Sequence, residues 1–114
     1  MTTEDTFTFQ GTYGGEYPNC NFKVSRYMDN KNLALIIEHK ESNETIAIAT
    51  VNTGDKLPDD RICVKNYSEN DGMDDFLLKL GIIEGEPVTS ILLPHVTVPV
   101  YMLSESGKEL FSGV

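Results

Sequence analysis

Residues 33–51 read LALIIEHKESNETIAIATV, two apolar runs around a polar turn, and this stretch decides the fold class. Leu33-Ala34-Leu35-Ile36-Ile37 is a continuous apolar run of strand length, suited to the interior of a sheet. Thr45-Ile46-Ala47-Ile48-Ala49-Thr50-Val51 is rich in β-branched residues and reads as the next strand. The polar residues 40–44 between them suit a tight reversal, so the two runs pair antiparallel.

Upstream, Asp29-Asn30-Lys31-Asn32 is a second polar turn, preceded by an alternation through Phe22, Val24 and Arg26. Phe7 and Phe9 alternate with Thr6, Thr8 and Gln10 as a half-buried strand, ended by Gly11, Gly14 and Gly15. Pro18-Asn19 predicts a turn. Downstream, a loop over residues 52–60 leads into a short strand, Arg61-Ile62-Cys63-Val64-Lys65. A helix follows, with Met73, Phe76, Leu77 and Leu80 on one apolar face. Asn70 or Asp71 is its expected cap, Asp74 and Asp75 favour its positive end, and Gly81 suits the position just past it. Residues 88–93 read as extended, and Val96, Val98, Val100 and Met102 alternate in a last strand. Pro94 and Pro99 predict an edge position for it. Residues 104–114 read as a short flexible polar tail.

The expected fold class is α+β: a curved antiparallel sheet of five or six strands packed on one short helix, in a single domain over residues 1–114. Leu35, Ile37, Ile46, Ile48, Val64, Phe76, Leu77, Leu80 and Val98 form its expected core.

Charge narrows the function classes. Eighteen acids against nine bases leave a net charge of −9, which argues against direct nucleic-acid binding and against an anionic membrane surface. Residues 55–86 hold nine of those acids and only four bases. Asp55, Asp59, Asp60, Glu69, Asp71, Asp74 and Asp75 are the candidate partner-binding carboxylates, as an acidic surface facing a basic partner. The alternative is a solvated face that maintains solubility. Tyr13 and Tyr17, in and beside the glycine-rich N-terminal loop, are further candidate anchors, because tyrosines bury large area at interfaces.

Signals for chemistry fail in turn. His39 and His95 with Cys20 and Cys63 would make a Cys2His2 set, but no two share the short spacing of zinc ligands. Setting Gly72 at the glycine of a calcium loop puts Leu78 where a bidentate glutamate is needed. Gly11-Thr12-Tyr13-Gly14-Gly15 lacks the order of a nucleotide cradle, and neither a GxSxG elbow nor HExxH is present. The expectation is no catalytic residue, no metal and no cofactor, with two free thiols. Residues 1–8 (MTTEDTFT) lack signal-peptide character and the longest apolar run is too short for a bilayer, so the expected location is the cytoplasm.

Ala49-Thr50-Val51-Asn52-Thr53-Gly54, Leu57-Pro58-Asp59, Val64-Lys65-Asn66, the helix ending at Gly81 and the finish Val96-Thr97-Val98-Pro99-Val100-Tyr101, with Asn32-Leu33-Ala34-Leu35 before them, resemble a small family of uncharacterised domains. Those domains are carried by plasmids, conjugative elements and phages of Firmicutes and Bacteroidetes. The resemblance covers residues 22–102 and brings no reaction or catalytic residue. It implies the company of mobile elements, whose accessory proteins often act against host defences. The expected function is therefore a non-enzymatic inhibitor of a host defence enzyme that handles nucleic acid. A CRISPR effector or restriction nuclease fits, its basic groove filled by carboxylates. The alternatives are an accessory protein-binding domain with no nuclease target, and a minor cysteine- or histidine-dependent enzyme.

Overall fold

The structure is a computed structural model that describes residues 6–11 and 15–114. Seven strands follow in order: β1 (Phe7–Gln10), β2 (Glu16–Arg26), β3 (Leu33–His39), β4 (Thr45–Ile48), β5 (Arg61–Cys63), β6 (Thr89–Leu92) and β7 (Thr97–Met102). A 3-10 turn (Ser68–Asn70) and helix α1 (Met73–Lys79) lie between β5 and β6, and helix α2 (Glu105–Leu110) follows β7.

The strands form two antiparallel sheets, β1-β2-β3-β4 and β5-β7-β6, rather than one sheet of five or six. The junction explains the difference. The run TIAIATV does not stay in one sheet: Ala49 still donates to Leu35 O, whereas Thr50 bridges to Val64. Val51 donates to Cys63 O and Lys65 to Ala49 O, so the end of this run stitches the second sheet to the first.

Three sequence expectations are overturned by the structure. Pro18-Asn19 is not a turn but a bulge inside the continuous β2. Phe7 pairs with Cys20 while Phe9 pairs with Tyr17, leaving one extra residue on β2, and Asn19 takes the left-handed φ of 56°. β7 is not an edge strand but the centre of its sheet. Pro99 is tolerated because its carbonyl, which accepts from Val64, faces the β5 side. A residue's N–H and C=O point the same way in a strand, so the missing donor falls where β5 has already ended. Residues 104–114 are not a flexible tail: six of them form α2, and Leu110 and Phe111 are buried in the main core.

The main core gathers Leu35, Ile37, Val64, Leu77, Ile82 and Leu103, all fully enclosed. Ile46, Phe76 and Leu80 are only partly buried against it, and Val98 belongs to a smaller cluster with Cys63 and Val100 on the second sheet. Ile48 leaves the expected core altogether and is 48% exposed. A second bulge, between Ile37 and Glu38 in the β3–β4 ladder, breaks the two-residue alternation and turns Ile48 to the face of Ile36.

Helix α1 keeps its expected apolar face, with Met73 and Leu77 buried. Its cap differs: Gly72 is the N-cap at a φ of 87°, and no side chain caps it. Asn70 is occupied elsewhere, buried with its amide donating to Ile48 O at 2.6 Å. The other end ends as expected. Gly81 donates to Leu78 O and Ile82 to Leu77 O, the paired bonds of a left-handed glycine stop.

Candidate functional site

The acidic stretch occupies two separate places. Asp55, Asp59 and Asp60 sit on the loop between β4 and β5, which Asn32 holds in place. Its side chain donates to Asp55 O at 2.7 Å and accepts from Leu57 N at 2.9 Å. Glu69, Asp71, Asp74 and Asp75 belong to the 3-10 turn and the start of α1. The fold thus divides the seven carboxylates instead of massing them.

Several of them also face bases of the same chain. Arg26 reaches Asp59 at 3.1 Å while also donating to Lys31 O and Val114 O, and Lys56 lies 3.8 Å from Asp59. The hydrogen bond and charge of Arg26 hold the Asp59 carboxyl below the usual range. The Lys65 ammonium, which pairs with Glu69, lowers that carboxyl likewise, and Asp60 lies 3.6 Å from Arg61. Asp74 is a structural acceptor. Its Oδ2 takes hydrogen bonds from the Tyr101 hydroxyl at 3.0 Å and the Asn66 amide at 3.1 Å, tying α1 to β7. Burial, then the Asp74 carboxylate, push the Tyr101 phenol up to about 12. Asp55, Asp59, Glu69, Asp71 and Asp75 are exposed at the surface.

One concave feature gathers two of the candidates. Tyr17 and Glu69 line a groove of about 350 Å³ together with Lys65, Asn70 and the β4 residues Ile46 and Ile48. Tyr17 is 39% exposed and stacks on Phe9 with ring centres 6.4 Å apart. Asp55, Asp59 and Asp60 lie outside that lining, and Tyr13 lies outside the described residues. Sequence reasoning missed Lys65 and Ile48 as groove residues. The only signal for Ile48 was the β4 alternation, which the bulge reverses.

Cys20 pairs with His39 across β2 and β3, a juxtaposition that spacing along the chain did not reveal. It does not make an activated nucleophile. Cys20 is fully buried, its thiol donates to Tyr17 O at 3.2 Å, and burial pushes its ionisation up. Burial likewise raises the Cys63 thiol, with Asp55 adding to the effect against a hydrogen bond from Thr53. Both cysteines are free. Among the described residues, no three His, Cys, Asp or Glu side chains are grouped to hold a metal ion, and no helix is long and apolar enough to cross a membrane.

No protein-family model, curated protein or solved structure matches the chain.

Proposed function

We propose that the protein acts by binding, as a small acidic inhibitor that docks in the basic groove of a host enzyme handling nucleic acid, of the CRISPR-effector or restriction-nuclease type. The observation that carries this reading is the exposure of Asp55, Asp59, Glu69, Asp71 and Asp75 on a chain of net charge −9. Carboxylates fixed on loops and a helix start can replace phosphates against lysine and arginine, and the net charge speeds encounter. The partners already present at Asp59 and Glu69 do not oppose this. Exposed ion pairs are weak and exchange readily for those of a better-placed base.

The test is nuclease protection over a salt series, with Asp55, Asp59, Asp71 and Asp75 reversed to lysine. Asp74 is left alone, because its carboxylate holds Tyr101 and Asn66. Protection by the native chain should fall steeply as the screening length shortens to about 8 Å near 0.15 M salt. Protection by the reversed chain should be lost. Equal protection by both would sink the acidic-surface mechanism.

A second reading, an accessory domain that binds another kind of protein, is favoured by the groove between Tyr17 and β4. It expects Tyr17→Ala to abolish binding in pull-downs at any salt concentration, while charge reversal leaves binding intact.

A further inference from the structure

The two outermost strands of the assembly differ. β1 has α1 beside it, with Phe76 against both Phe7 and Phe9. β6 is the other outer strand, and among the described residues no strand pairs with its free side. The direction of its backbone groups follows from the ladder. Leu93 donates to Val96 O at the turn, and in an antiparallel pair bonded and non-bonded positions alternate. Thr89 and Ile91, opposite Val100 and Val98, therefore turn their backbone groups to β7. Ser90 and Leu92 turn theirs outward.

We infer that this free edge of β6 pairs with the same edge of a second copy of the chain, antiparallel about Ile91. This goes beyond the inhibitor reading and does not depend on it.

Three observations favour a second copy. The outward groups are self-complementary: with Ile91 on the two-fold axis, Ser90 of each copy faces Leu92 of the other and both exchange N–H···O bonds, four in all. Charge points the same way. Two chains of net charge −9 repel through most of their surfaces, but residues 87–103 contain no Asp, Glu, Lys or Arg. Antiparallel pairing also sends the Glu84 and Glu86 end of each copy toward the other's turn at Pro94-His95, which carries no acid, and so keeps the carboxylates of the two copies apart. Finally, the usual protection of an edge is missing from the strand itself. Thr89-Ser90-Ile91-Leu92 has no charge and no proline, and Leu92 is 82% exposed. Pro87 and Pro94 limit the length of the ladder, and the two-fold contact uses the free β6 edge of both copies, so the pairing closes as a dimer.

The experiment measures mass and amide exchange on the full chain over a concentration series. The mass should climb from 12.7 kDa toward twice that value, and added salt should shift the rise to lower concentration by screening like charge. The Ser90 and Leu92 amides should gain protection in step with the mass, while those of Thr89 and Ile91, already bonded to β7, should not change. Leu92→Pro removes an outward N–H that the monomer does not use and should hold the chain at monomer mass. Leu92→Glu, which leaves the backbone intact, should do the same, and circular dichroism verifies that both variants are folded. A monomer persisting to about 1 mM, where even millimolar association registers, would overturn the inference. So would a dimer in which the Ser90 and Leu92 amides stay unprotected.

Discussion

The two helices are close in length and both bury side chains in the main core, but their starts are secured differently. Helix α1 is held by side chains: Met73 and Leu77 are buried, Phe76 and Leu80 pack behind them, and Asp74 binds Tyr101. Helix α2 is held at its start by backbone proximity. The Ser104 hydroxyl accepts from Gly107 N at 3.0 Å and donates to Gly81 O, while Ser104 N donates to Ile82 O. Gly107 then lies so close to that same carbonyl that a Cβ on it would sit 2.2 Å from Ile82 O. Ile82 serves both helices, since its own N–H completes the stop of α1. The contrast teaches that a short helix with only two large apolar side chains, Leu110 and Phe111, gains a second anchor where its backbone fits against another segment.

Ending the chain after Leu103 is the most severe way to break the comparison. It removes Leu110 and Phe111 from the core, and losing two large buried side chains costs on the order of 5 kcal/mol or more, comparable to a small domain's whole stability. The expected outcome is loss of the cooperative thermal transition. A truncated chain that melts like the full one would make α2 an ornament.

Leu77→Ala tests the side-chain anchor of α1. Leu77 is fully buried, so denaturant unfolding should show a loss of about 2–5 kcal/mol. Gly107→Ala tests the backbone anchor of α2, and its sign is the informative result. Alanine favours a helix interior by about 1 kcal/mol where space allows, but crowding a packed contact costs about 1–3 kcal/mol. At 2.2 Å from a carbonyl the clash wins, and the variant should be less stable. A more stable variant would show that α2 does not need the close approach.

Ser104→Ala removes the cap of α2 and should cost about 1 kcal/mol, whereas α1 has no side-chain cap to lose. A further effect is confined to alkaline pH. The Tyr101 phenol is raised to about 12 in the folded chain, above the value near 10 of an unfolded tyrosine. The folded state therefore holds that proton more tightly. The corresponding stability is complete below pH 10 and is lost as pH climbs toward 12. Melting temperatures through that window should fall less for Tyr101→Phe than for the native chain. Equal slopes would remove Tyr101 as their source.

Local chemistry made much of the fold legible. The apolar runs at β3 and β4, the polar turns beside β3 and the stripe and glycine stop of α1 are short-range patterns, and they appear where expected. The acid excess is a property of the chain alone. The candidate site was legible only as composition. That Asp59 meets Arg26, Asp74 meets Tyr101, and Tyr17 meets Glu69 across a groove depends on residues 27 to 52 positions apart in the chain, for which no local pattern exists.

What the tertiary structure alone decided has one physical character. The sequence determined most of the segments that extend or coil, because strand and helix periods and glycine stops act between near neighbours. It did not determine that Pro18-Asn19 would bulge within a strand, that Pro99 would sit in a central one, that Ile48 would face outward, or that residues 105–110 would coil against Ile82. Each outcome depends on which backbone groups lie opposite, and that is settled only when distant segments pack.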